Sequence, residues 1–194
     1  MQPEQFLSIL SQAGRLKTTP RHCFTEPDRK ESVADHSWRI ALMAMLMTGE
    51  EEFCTVDMDK VIRMCLIHDL GEAFTGDIPT FQKSETDTRT EDQILLDWIS
   101  TFPSPQKETW ISLLEEMNQL KTPESQVYKA LDKLEAVISH DESDLSTWLP
   151  LEYDLQLSYG TENVRFSPWL SSLKEAVDVW TRRKIRDEKP SDPQ

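Results

Sequence analysis

Imidazole and carboxylate groups at helical spacing mark the stretch Val61 to Pro79, V-I-R-M-C-L-I-H-D-L-G-E-A-F-T-G-D-I-P. It opens as an apolar run of the kind that forms a buried helix, then puts His68, Asp69 and Glu72 where more apolar residues are expected. At about 100° per residue, Cys65, His68 and Glu72 share the face of Val61, with Asp69 beside them and Arg63 turned away. Burying such groups costs several kcal/mol unless they are paired or bind a metal. A second imidazole, His36, falls one turn into another apolar helix, on the face of Ile40, Met43 and Met47. The His68-Asp69 pair, His36 and one later aspartate on a further helix would bring nitrogen and oxygen donors from three helices to one point. Imidazole plus carboxylate without thiolate suits Mn, Co, Fe, Ni or Zn. Such an ion acidifies water and neutralises the charge of a phosphate monoester, so the chemistry indicated is hydrolytic. Each group alone also has a plainer account. A lone inward histidine is usually a hydrogen-bonded core residue, and a single His-Asp dipeptide is common.

The elements that must position these groups read as helices. Phe6, Leu7, Leu10 and Leu16 mark a short amphipathic helix over 3–16. R-L-K-T-T-P-R-H at 15–22 is a basic cluster in an acidic chain, either a solvated turn or an anion-facing loop, and Pro20 ends the first helix near Thr19. Ser32-Val-Ala-Asp35 is a capping box opening a long helix that Gly49 stops. Asp57 or Asp59 caps the helix carrying His68; the chain then breaks between Gly71 and Gly76 and turns through Thr75-Gly-Asp-Ile-Pro79, bringing Asp77 near Glu72. Residues 84–90 read as exposed, ahead of a short helix around Ile94 to Ile99. Further helices are expected over 106–120, 124–140, 145–159 and 167–185, with Thr122-Pro123 and Ser167-Pro168 as helix starts. In the 124–140 helix the apolar stripe is Val127, Ala130, Leu131, Leu134, Val137 and Ile138. Asp132 lies off its centre, near Tyr128 and Glu135, and by pattern alone is a solvated carboxylate. The expected fold is all-α, a compact multi-helix bundle forming a single domain over 1–185, with 186–194 as a disordered tail.

Composition narrows the function classes. A chain of 194 residues with 38% hydrophobic and 29% charged residues suits one soluble domain. Its formal net charge of −14 would repel a long nucleic acid, though a small phosphate can bind if a cation receives it. Three cysteines without a C-x-x-C pair indicate a reducing, cytoplasmic setting. No run reaches the ~20 apolar residues of a membrane span, and Met1-Gln-Pro-Glu-Gln lacks the basic start of a signal peptide. Neither a Gly-rich phosphate loop nor β-α alternation is present, which excludes a P-loop or Rossmann reading.

S-V-A-D-H-S (32–37), I-H-D-L-G-E-A-F-T-G-D-I-P (67–79) and Y-K-A-L-D-K-L-E (128–135) together resemble the ordered motifs of the HD-domain metal-dependent phosphohydrolases. More narrowly they resemble 5′-deoxynucleotidases of the YfbR and HD domain-containing protein 2 type, and the likeness covers most of residues 5–140. It implies one divalent metal ion (Co, Mn, Mg, Fe, Ni or Zn) held by His36, His68, Asp69 and Asp132, which reverses the surface reading of Asp132. It further implies Glu72 handling a proton or positioning water, Asp77 touching the sugar or assisting the reaction, and Arg21 beside the substrate phosphate. His22 stands where bacterial members carry a tryptophan that helps exclude a ribose 2′-hydroxyl. The implied substrate is a (deoxy)nucleoside 5′-monophosphate, the product nucleoside and phosphate, and the assembly a homodimer. The enzymatic alternative is an HD-type phosphodiesterase or pyrophosphohydrolase acting on cyclic or guanosine polyphosphate nucleotides. With only His22 and His140 left over, the chain has few histidines for the second metal set those activities generally need. A non-catalytic helical interaction module is the third reading.

Overall fold

Local sequence signals start most of the elements. In the computed structural model, which describes residues 1–188, Pro3 begins α1 (Pro3–Ala13), and a short 3-10 turn follows. The basic cluster then enters an antiparallel hairpin, β1 (Pro20–Glu26) and β2 (Arg29–Ser32), turning at Pro27-Asp28. The hairpin corrects the helix-or-loop expectation for this region. Its strands are short and mostly polar, so they lack a clean alternating pattern, although Pro-Asp is a turn signal.

Ser32 caps α2 (Val33–Leu46) as expected: its hydroxyl accepts from the Asp35 N–H at 3.1 Å, and Asp35 accepts from the Ser32 N–H at 2.9 Å. Asp57 caps α3 (Met58–Ile67). This helix ends at His68, one turn earlier than the pattern suggests. Hydrogen bonds from Leu70 N–H to Ile67 O, Glu72 N–H to Asp69 O and Ala73 N–H to Leu70 O make a tighter, three-residue turn leading into α4 (Glu72–Thr75). The 100° count therefore does not hold through Glu72.

A second capping box, Ser84 with Asp87, opens α5 (Glu85–Ser100) well before the apolar residues that suggested a helix near Ile94. Residues 84–90 are nonetheless mostly exposed, because this first half of α5 is a polar surface helix. Gly71 lets α5 approach closely, since a Cβ there would lie 2.6 Å from the Glu91 Cγ. After α6 (Gln106–Gln119), Thr122 caps α7 (Pro123–Glu142). The region expected as one helix over 145–159 is instead a 3-10 turn at Leu145–Thr147 followed by α8 (Glu152–Ser158). Then come α9 (Thr161–Val164) and α10 (Pro168–Glu188). Helix α10 runs past the boundary expected at 185 and takes in Arg186 to Glu188; the remainder of the expected tail, 189–194, lies outside the described residues.

The fold is all-α apart from the hairpin, and α7 is its axis. That helix contacts α2, α3, α6, α9, α10 and β1. Val127, Ala130, Leu131, Leu134 and Val137 are fully buried, each worth roughly 1–3 kcal/mol by area removed from water. Its other face is buried too, and there it is polar: Tyr128, Asp132, Glu135 and Ser139. Asp132 is thus inside, correcting the surface reading that its periodicity alone supports. None of the described helices is long and apolar enough to cross a membrane.

At its C-terminal end α7 meets α10 through a poorly satisfied carboxyl. Asp141 is 2% exposed; Oδ2 accepts from the Thr181 hydroxyl at 2.8 Å, whereas Oδ1 has no partner among the described residues. Burial outweighs Thr181 and Lys184 and pushes this carboxyl up to about 6. A native pKa above the unfolded value means that the proton stabilises the fold at low pH, and that this contribution is lost as pH rises through about 6. Asp141→Asn should therefore be more stable than the parent at pH 8, by about 1–3 kcal/mol, with the gap closing below about pH 4. Urea melts across that range check this; a gap independent of pH would contradict the assignment.

Candidate metal centre

Three elements deliver four side chains to one point. His36 comes from the first turn of α2, His68 and Asp69 from the tight turn after α3, and Asp132 from the polar face of α7. The Nε2 atoms of His36 and His68 lie 3.3 Å apart. Asp69 Oδ2 is 2.9 Å from His68 Nε2 and 3.8 Å from His36 Nε2, and Asp132 Oδ1 is 3.4 Å from His36 Nε2 and 3.8 Å from His68 Nε2. The structure thus brings together all four of the sequence-derived ligand candidates.

The tautomers follow from the other ring nitrogens. His68 Nδ1–H donates to the Cys65 carbonyl at 2.9 Å, and His36 Nδ1–H donates to Glu135 Oε2 in a very short contact. A carbonyl or a carboxylate can only accept, so in the neutral rings both Nε2 atoms are bare lone pairs. Two imidazole lone pairs and two carboxylate oxygens then face one another with no donor between them. That arrangement needs a cation, and it fits a divalent ion with nitrogen and oxygen ligands. The same negative field acts on a proton. Burial and Arg21 pull the His36 imidazole down, but Glu135 and Asp132 outweigh them and raise it to about 9. Burial raises Asp69 and Asp132, but His68 holds the first below the usual carboxylate range and Lys129 and Lys133 hold the second well below it. Cys65, inward as expected, serves through its carbonyl; its thiol is pushed up by burial and by Asp132.

Glu72 and Asp77 line the cleft that opens beside Asp69 and Asp132. Glu72 is buried, its Oε2 has no partner among the described residues, and Oε1 lies 3.7 Å from Lys83 Nζ. Burial, Asp69, Asp77 and Glu91 together push its carboxyl up to about 10, with only Lys83 opposing. Without an ion in the centre, these surroundings favour the protonated form of Glu72. Burial also raises Asp77. Lys83 is anchored 2.6 Å from Glu91, while Lys129 and Lys133 sit 2.9 Å and 3.4 Å from Asp132 Oδ2. Arg21 lies on the β1 wall with Nη1 2.7 Å from Glu31 Oε2 and 3.3 Å from Glu135 Oε2. His22 points into an adjoining space with Glu152 rather than into the metal cleft.

Sequence reading missed Glu135, the hub behind the site. It holds His36, Arg21 and Arg39 (Nε at 3.3 Å from Oε1) and accepts from the Ser139 hydroxyl at 2.7 Å. Burial raises it, but His36 and Arg21 prevail and bring it to about 2, so it stays ionised. The spacing 128, 132, 135, 139 was a detectable signal: one helical stripe of polar residues opposite an apolar one.

A family model described as HD domain matches residues 13–174. The human 5′-deoxynucleotidase HDDC2 is 29% identical over 140 residues, 70% of this chain and 67% of that one. The yeast 5′-deoxynucleotidase YGK1 of Saccharomyces cerevisiae is 37% identical over 78 residues, 39% of this chain and 34% of that one. Among solved structures, a protein described as a predicted metal-dependent phosphohydrolase from Magnetospirillum magnetotacticum superposes with a TM-score of 0.76 at 26% identity, covering 92% of this chain and 91% of the other. A conserved hypothetical protein from Pyrococcus furiosus gives 0.67 at 30% identity, over 91% and 99% of the two chains.

Because Glu135 fixes the His36 ring, its neutral isostere should loosen the centre without removing a ligand candidate. Glu135→Gln is expected to weaken divalent-metal affinity roughly 10- to 100-fold. A competition titration with a coloured chelator measures this, and an unchanged affinity would exclude the orienting role.

Proposed function

The chain belongs to the HD-domain family, and on that premise we propose that it is a metal-dependent phosphomonoesterase converting (deoxy)nucleoside 5′-monophosphates to nucleoside and phosphate. One observation carries the reading: with both rings neutral, four acceptor atoms from His36, His68, Asp69 and Asp132 converge on one point, and Asp69 and Asp132 open from it into a cleft walled by cations. Those four residues would hold the ion. Bound there, a divalent metal acidifies water and neutralises phosphate charge.

The chain's own side chains supply the rest. Lys83, Lys129, Lys133 and Arg21 line the cleft and offer N–H donors to the phosphate oxygens. Glu72 carries a proton that it gives to the departing 5′ oxygen, and its buried, partner-free Oε2 supports that role. Asp77 and Thr80 border both the cleft and an adjoining chamber, which takes the nucleoside; Asp77 contacts the sugar and His22 forms part of the chamber wall. The free cysteines Cys23, Cys54 and Cys65 suit a cytoplasmic setting.

We also propose that two copies of the chain pair. Trp38, Leu42, Met45 and Leu46 form an apolar stripe along α2 that is exposed to solvent, Leu46 at 74%. A contiguous patch of this kind suits a self-complementary contact. Met45→Asp should convert a dimer into a monomer by light scattering; a parent mass already equal to one chain would rule the pairing out.

Phosphate release from a panel of deoxy- and ribonucleoside monophosphates tests the activity, with cyclic and pyrophosphorylated nucleotides alongside. Asp69→Ala is expected to lose metal and nearly all turnover. Glu72→Gln should retain the metal and slow turnover by about 10²- to 10⁴-fold. Turnover confined to the cyclic or pyrophosphorylated compounds would replace the monoesterase reading with a phosphodiesterase or pyrophosphohydrolase one.

A further inference from the structure

His22 and His140, the two histidines outside the centre just described, do not remain apart. Strand β1 and the end of α7 bring them to the carboxylate of Glu152, at the first turn of α8, on one wall of the chamber beside the cleft. His140 Nε2 lies 2.9 Å from Glu152 Oε1, and His22 Nε2 lies 3.3 Å from Oε1 and 3.4 Å from Oε2. One ligand atom from each of the three residues falls within 4.8 Å of the others.

The fold fixes the tautomer of one of these two rings. His140 Nδ1–H donates to the Ala136 carbonyl at 2.8 Å, so in a neutral ring Nε2 is a lone pair, and it faces a carboxylate oxygen. Glu152 is 1% exposed, and its Oε2 already accepts from the Leu149 N–H at 2.6 Å. With His22 in its Nδ1–H tautomer, three acceptors converge on a chamber that a small ion can enter. Around an ion with bonds near 2.1 Å, neighbouring ligand atoms stand about 2.9–3.5 Å apart, and both histidine–Glu152 separations fall in that range.

We propose that His22, His140 and Glu152 form a second divalent-metal site. Two imidazoles and one carboxylate suit a late first-row ion such as Zn(II) or Co(II), with its open positions facing the chamber. Two turns of α7 separate Asp132 from His140, about 12 Å along the axis. Paired catalytic metals stand about 3.5–4 Å apart, so this ion does not share the phosphate with the first. It lies at the nucleoside end, where its open positions meet hydroxyl or base oxygen and nitrogen atoms.

Metal content of the full chain tests this. Protein stripped with chelator, reloaded with Zn(II) and desalted should carry about two ions per chain by elemental analysis. His22→Ala, on a partly exposed strand position, and His140→Gln should each carry about one, as should Asp69→Ala. His140→Gln combined with Asp69→Ala should carry none, with circular dichroism confirming the fold throughout. A parent with one ion, lost in Asp69→Ala and retained in His140→Gln, overturns the second site, assigns a proton rather than a metal to the His140–Glu152 contact, and leaves the proposed function standing. Two ions in the parent with none lost in Asp69→Ala would instead count against the first centre alone.

Discussion

Lone pairs that point at one another are the constraint around which this molecule is built. Two imidazole nitrogens and two carboxylate oxygens cannot share one small volume in a low-dielectric interior unless positive charge is brought to them. The protein answers from behind as well as from the centre. Although the chain carries a formal charge of −14, Arg21, Arg39, Lys83, Lys129 and Lys133 gather around this one region. Each is tied to a carboxylate of the site or of its supporting layer. These cations keep Asp132 and Glu135 ionised despite burial, and Glu135 in turn fixes the tautomer of His36. A neutral or reversed Glu135 would free the ring even if every ligand candidate stayed in place.

Helix α7 shows how the fold accommodates so much buried polarity. One face supplies apolar packing through Val127, Leu131 and Leu134, and the opposite face supplies Tyr128, Asp132, Glu135 and Ser139. The polar stripe contributes little hydrophobic stabilisation and would be costly if left unpaired. It is tolerated because nearly every member has a charged or hydroxyl partner fixed by another element: Glu31 from β2, His36 and Arg39 from α2, Arg21 from β1. Stability therefore rests on the apolar face, whereas the polar face specifies how β1, β2 and α2 sit against α7.

Legibility in the sequence followed the range of the information. The Ser32–Asp35 box, the Thr122-Pro123 start and the apolar stripes are local, and they gave the existence and type of most helices. What failed was either weakly patterned or decided at long range. The hairpin strands are polar and short, and the start of α5 was hidden because its capping box precedes a polar half-helix rather than an apolar run. The close approach of Glu91 to Gly71, beside the tight turn that follows α3, is a contact no local window contains. Asp132 was the instructive case. Periodicity assumes one buried face per helix, and α7 has two, so the motif resemblance located this residue where pattern could not.

Arg21 illustrates why a single residue in such a network resists a single role. The resemblance places it beside a phosphate, and its side chain does line both the cleft and the chamber. Yet its Nη1 is also the partner of Glu31 and Glu135, both almost fully buried. Removing the guanidinium would leave two buried carboxylates short of a counter-charge, and a carboxylate deprived in that way tends to take up a proton. A protonated Glu135 no longer holds His36 Nδ1–H as strongly, so the damage would spread to the metal ligand candidates. Loss of activity in Arg21→Ala would thus mix a missing phosphate contact with a disordered centre. The planar fork is also what lets one side chain satisfy carboxylates behind it and face an anion in front, which a lysine's point charge does less well.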